Sequence, residues 1–238
     1  MNSHVAFDAA DVETRLVAAF EANRGADAVP MAKYMRDRFP FLGIKSPQRR
    51  ALQREALKGL PRPSEAELKA VALALWQRPE REYQYAACDL LERHARICGP
   101  EFLGVVERLI TAKSWWDTVD ALALVAGALV AAYPALTVTM DRWIVSDDFW
   151  LARSAITHQL RFKDRTDADR LFRYCVHRSR DREFFIRKGI GWALREYSKA
   201  DAAAVRTFVA KHPELSPLSR REALLWLNGG RSGGPPRG

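Results

Sequence analysis

Cysteine is scarce in this chain: three in 238 residues, Cys88, Cys98 and Cys175, with no CxxC pair. That count excludes a disulfide framework and gives little support to a zinc or redox centre, so the three are expected to be small buried hydrophobes. Long apolar runs are missing too. The longest, Ala121 to Tyr133, is far short of the roughly 20 residues a bilayer crossing needs. Met1 to Ala10 carries His4 and Asp8 without a long apolar stretch, so no secretory signal is expected, and the cytoplasm is the expected location. Strand signals hardly appear, and no Asn-Gly or Asp-Gly turn sits between alternating runs. Acidic residues are outnumbered, 29 against 38 Lys and Arg, for a formal charge of +9. Such a balance favours a polyanionic partner, nucleic acid before membrane.

What is present is helix, from end to end. Apolar residues make up 48% of the chain, enough for a globular core without a metal or disulfide staple. Ser46-Pro47 reads as a helix start, and Ser64-Glu65-Ala66-Glu67 as a capping box. Ser114 is expected to cap a helix over Trp115 to Tyr133, and Ser216-Pro217 a last one to Leu227. About twelve helices joined by short loops imply antiparallel neighbours, and alternate starts recur every 30 to 40 residues or so, near the period of two-helix repeats. The expected fold is all-α, a curved solenoid of about six antiparallel helical pairs with a concave face. A compact helical domain is the plainer alternative. One domain over residues 1–228 is expected, followed by a disordered Gly/Pro-rich tail over 229–238.

Charge and chemistry concentrate in a few segments. Lys33, Arg36, Arg38, Lys45, Arg49, Arg50, Arg54 and Lys58 are opposed only by Asp37 and Glu55. A second basic stretch runs from Arg153 to Arg195. Lys45 and Ser46, at a helix N-terminus, form a candidate phosphate seat. Asp120 lies one turn inside a helix whose next twelve residues carry no charge, and a carboxylate there needs a partner. Trp116, at i−4, shares its face. This pattern is read two ways, as a structural Asp–Arg pair with a packed Trp or as a reactive carboxylate beside an aromatic platform. Trp192, with Lys188 at i−4 and Arg195 at i+3, sits on a basic helix face and reads as a ligand platform. Gly189 and Gly191 inside the same helix imply close approach of a neighbouring backbone, protein or DNA. Trp76, Trp143, Trp150 and Trp226 are expected in the core. His158 and His177 have no companions at metal-ligand spacing, and no metal or cofactor is expected.

Five ordered blocks, KYMRDRFPFLGIKSPQRR (33–50), KSWWDTVD (113–120), SDDFWLARSAITHQLRFK (146–163), EFFIRKGIGWALREYSK (183–199) and LSPLSRREAL (215–224), together resemble the AlkD family of alkylpurine DNA glycosylases. The resemblance implies a solenoid of HEAT-like pairs cradling duplex DNA. It places the catalytic aspartate on Asp120, the lesion-flanking tryptophans on Trp116 and Trp192, a phosphate-contacting arginine on Arg153 and a DNA-contacting aromatic on Tyr34. For Arg153 a salt bridge to Asp120 is the competing role. Lys45, Ser46 and Lys188 complete the expected DNA contacts. The activity expected is that of a monofunctional glycosylase removing N3-methyladenine and N7-methylguanine from double-stranded DNA. It would work as a nucleoid-associated monomer without cofactor or obligate protein partner. A non-catalytic helical-repeat protein that binds damaged or branched DNA by shape is the alternative, and a protein-binding helical scaffold the third reading.

Overall fold

A computed structural model describes residues 7–229, and the expected tail lies outside them from Gly230 onward. Among the described residues there are thirteen α-helices and no strand, as the all-α expectation required. The chain divides into two compact units, Met1–Val105 and Val106–Gly238.

In the first unit, α1 (Ala9–Glu21) is capped by the Asp8 carboxylate and buries Val12, Leu16 and Phe20, a row at intervals of four. It packs on α3 (Ser46–Ala56) and α4 (Glu65–Gln77), and α4 pairs with α5 (Arg81–His94). Between α1 and α3 lies α2 (Ala28–Tyr34). The capping box at the start of α4 is complete, with Ser64 and Glu67 each satisfying the other's backbone N–H. The expected Ser46 cap is absent. Ser46 is itself the first helical residue, and Lys45 stands at the cap without a side-chain bond. The extended segment before α3 is held from within: the buried Glu82 carboxylate accepts the N–H groups of Leu42, Gly43 and Ile44 at 2.9, 2.9 and 3.1 Å.

Helix α6 (Phe102–Thr111) runs across the boundary between the units. The second unit then holds α7 (Trp116–Ala132), α8 (Thr137–Ile144), α9 (Phe149–Thr157), α10 (Ala168–His177), α11 (Phe184–Tyr197), α12 (Ala202–Lys211) and α13 (Pro217–Leu224). The cap of α7 is Trp115, not Ser114, whose hydroxyl instead donates to the Ile110 carbonyl of the preceding helix. A left-handed Lys113 (φ 53°) reverses the chain between them. Helix α9 is the centre of this unit, packed by α7, α8 and α11, and every residue from Trp150 to Thr157 is buried. In turn α11 lies against α13. The three cysteines are free and buried. Trp76, Trp143 and Trp150 are in the core as expected. Trp226 is not: the last helix stops at Leu224, and the ring is 46% exposed with the Lys199 ammonium 5.6 Å from its centroid.

The seam between α7 and α9 depends on Gly127, where an added Cβ would collide with the backbone carbonyl of His158. Gly127→Ala therefore pits about 1 kcal/mol of helix propensity against a backbone clash that costs about 1–3 kcal/mol. The expected result is a net loss of stability, read as a lower urea midpoint. A raised midpoint would contradict this packing.

Candidate functional site around Asp120

The first turn of α7 places Trp116 and Asp120 on one face, and α9 brings Arg153 to meet them. Arg153 Nε donates to Asp120 Oδ1 at 2.8 Å and Nη2 to Oδ2 at 3.0 Å, a bidentate pair. Nη1 donates to the carbonyl of Phe185 on α11. Arg153 is 0% exposed and Asp120 7%. Of the two roles expected for Arg153, the salt bridge to Asp120 is the one this structure displays. The guanidinium is enclosed and all three nitrogens are engaged inside the protein. Burial pushes the Asp120 carboxyl above its ordinary range. Arg153, through its charge and two hydrogen bonds, opposes that push, while nearby Asp117 adds to it. Asp117 has its own task, accepting the Thr118 N–H at 3.0 Å at the start of α7.

Trp192, half-buried on α11, completes the group: the Arg153 guanidinium lies 6.0 Å from its ring centroid. Trp116 is 9% exposed. A carboxylate, its guanidinium partner and Trp192 thus meet, with Trp116 one turn before the carboxylate on α7. The glycines of α11 explain how. A Cβ on Gly189 would stand 3.1 Å from Arg153 Nη1, so the bare backbone leaves room for the guanidinium. A Cβ on Gly191 would strike Glu222 of α13. The sequence anticipates a neighbouring backbone at both glycines; Gly189 is instead approached by the Arg153 side chain, and Gly191 by the Glu222 side chain together with the Ser219 carbonyl.

The remaining predicted residues separate. Lys188 pairs with Glu222 at 2.9 Å, and Arg195 shares the same carboxylate at 2.7 Å. Burial would raise Glu222, yet these two cations hold it below the usual carboxylate range. Lys188 keeps two further N–H donors besides the one directed at Glu222. Tyr34, 46% exposed, belongs to the first unit together with exposed Lys45 and Ser46, and Lys45 pairs with Asp27 at 3.0 Å. Sequence reasoning missed the carbonyl of Phe185 and the aromatic group under the site. There, ring centroids of Trp115 and Phe185 are 5.0 Å apart and those of Trp150 and Phe185 4.9 Å. The EFF and SWW pairs were the available signal.

A cavity of about 780 Å³ in the second unit is lined by residues including Ile156, Leu171, Ala193 and Tyr197, and by none of the predicted site residues. Among the described residues no group of three or more His, Cys, Asp or Glu is placed to hold a metal, and no helix is long and apolar enough to cross a membrane.

The described residues form an all-helical fold in which a buried carboxylate is paired with an arginine that also faces a tryptophan, and comparison with known proteins supplies the family. Residues 16–227 match the family described as DNA alkylation repair enzyme, and the chain belongs to it. It is similar to the structure of a predicted DNA alkylation repair enzyme from Enterococcus faecalis, at 34% identity and TM-score 0.77, over 84% of this chain and 94% of that one. A protein from Streptococcus mutans UA159 shares the fold at 18% identity and TM-score 0.55, over 68% of this chain and 84% of that one. No curated protein sequence matches.

An Arg153 that stays buried against Asp120 would neutralise no phosphate. Arg153→Ala should therefore leave the slope of log affinity against log salt unchanged for a DNA duplex, measured by fluorescence anisotropy on protein shown to be folded. A slope reduced by about one would return Arg153 to the phosphate-clamping role.

Proposed function

We propose that the protein is a monofunctional DNA glycosylase that hydrolyses the N-glycosidic bond of cationic alkylated purines, N3-methyladenine and N7-methylguanine, in duplex DNA. The observation that carries this reading is the Asp120 carboxylate, buried and fixed through both oxygens by Arg153, whose guanidinium faces Trp192, with Trp116 one turn earlier on α7. Family membership supports alkylation repair. Departure of the base leaves an oxocarbenium-like sugar. Each carboxylate oxygen gives one lone-pair direction to Arg153 and keeps another, and a tenth of the side chain is accessible. Asp120 can therefore stabilise the developing cation and orient the attacking water. A cation on that open side is nearer to the oxygens than to the guanidinium, and in a poorly solvated site attraction prevails. Trp116 and Trp192 offer electron-rich faces to the charged base, at about 0.5–2 kcal/mol each. Tyr34, Lys45, Ser46 and Lys188 supply contacts to the duplex, Lys188 through N–H donors not directed at Glu222.

No general acid is required, because the leaving base already bears its positive charge. An ionised Asp120 donates no proton, so a neutral base such as hypoxanthine leaves poorly. A second reading, a non-catalytic binder of damaged DNA, draws on the same pair: Asp120 fully matched by Arg153 is also what a purely structural role needs.

Single-turnover release of N7-methylguanine separates the two. Asp120→Asn should keep duplex binding and slow release by about 10²-fold or more, with circular dichroism confirming the fold. A rate near that of the unaltered protein, or no release by the unaltered protein at all, would leave the binder. Hypoxanthine released as fast as N7-methylguanine would mean that a proton donor exists at the site, since each 1.36 kcal/mol of leaving-group advantage is worth about tenfold.

A further inference from the structure

The start of α11 carries two consecutive phenylalanines with opposite fates. Phe185 is 5% exposed, packed against Trp115 and Trp150, and its carbonyl accepts from Arg153. Phe184 is 40% exposed. Its ring is not loose: it stands edge-on to Phe185, with centroids 5.4 Å apart and planes at 80°. A single exposed apolar residue is ordinary, but the position of this one is not. Phe184, Lys188 and Trp192 follow at i, i+4 and i+8, so they line one side of the helix. At the far end of that row Trp192 faces the guanidinium that holds Asp120. At the near end Phe184 is one residue from the carbonyl that anchors the same guanidinium. Exposed Arg180 and Arg182 precede it, a basic approach suited to a phosphate backbone.

We infer that Phe184 is a nucleobase platform: a base of the bound duplex, beside the damaged nucleotide, stacks on its ring. This rests on the reading of the protein as acting on DNA, and it adds a contact that neither the basic residues nor the two tryptophans account for. An aromatic face accepts any base, so the contact tightens binding at the lesion without reading sequence. The continuity of the row from Phe184 to Trp192 and the flanking arginines favour DNA over an apolar protein partner.

The test uses a duplex with a 2-aminopurine next to a tetrahydrofuran abasic-site analogue, which the protein cannot cleave. Binding of the unaltered protein should change the 2-aminopurine fluorescence. Phe184→Leu, apolar but without a π-face, should weaken affinity about tenfold, the scale of one lost base–aromatic stack, and abolish that change. Phe184→Trp should preserve both. Unchanged affinity and fluorescence for Phe184→Leu would overturn the inference, as would an equal loss for Phe184→Trp, which would mark a packing defect. The unaltered protein's release of N7-methylguanine is measured alongside. Its absence would count against the glycosylase reading, whereas its presence with an unaffected Phe184→Leu would remove only the platform.

Discussion

Asp120 and Arg153 are taken out of water together, and the second unit is arranged to make that tolerable. Removing either partner of such a pair strands a buried charge, at about 3–5 kcal/mol. The arrangement provides against this at several points. Both carboxylate oxygens receive a guanidinium N–H, and the third nitrogen has the Phe185 carbonyl. Gly189 leaves the volume the guanidinium occupies. Three helices close over α9, so that Arg153 sits where no solvent competes for it. Because α7, α9 and α11 each contribute one part, the pair also fixes how the first turn of α7 and the first turns of α11 approach one another. The positions of Trp116 and Trp192 follow from that.

The same pair sets the chemistry available. One carboxylate held in place, with a free lone-pair direction on each oxygen and no proton donor assigned beside it, suits a reaction whose leaving group is already charged. It suits poorly a reaction that must protonate a neutral base. In the proposed reaction, selectivity would come from the lability of the glycosidic bond more than from the shape of the base. The protein contributes a fixed negative charge and flat aromatic faces, so tolerance of bulkier N7 substituents is consistent with it.

Several helix starts are legible in short stretches of sequence, while the Ser46 and Ser114 caps and the partners brought from distant helices are not. The Ser64–Glu67 capping box and the Ser216-Pro217 start depend on residues within one turn of each other, and both appear. Ser114 has the same local signature but lost its role, because the left-handed turn at Lys113 points its hydroxyl back to α6. The need of Asp120 for a partner was legible from the uncharged helix that follows it. Which way Arg153 would turn was not, since the contact joins residues 33 positions apart and rests on how α9 is enclosed. Lys188 reads as a phosphate contact from its own helix, and the Glu222 partner that α13 brings to it is not legible there. Trp226 reads as core only if the last helix continues to Leu227, and it ends at Leu224.

The pH dependence of N7-methylguanine release under single-turnover conditions tests the central claim, that the ionised Asp120 held by Arg153 is the reactive group. Since burial raises the Asp120 carboxyl, its negative charge is lost as pH falls through a value above the ordinary aspartate figure of about 3.9. The release rate should be flat near neutrality and decline on the acid side with a midpoint above that figure. Buried His158, its Nδ1 on the Ala155 carbonyl at 2.7 Å, is pushed down to about 4. Acidification below the unfolded value of about 6.5 therefore also weakens the fold, and circular dichroism at each pH confines the profile to folded protein. A rate that stays flat to below the ordinary aspartate value, or rises toward acid while the fold persists, would contradict the account.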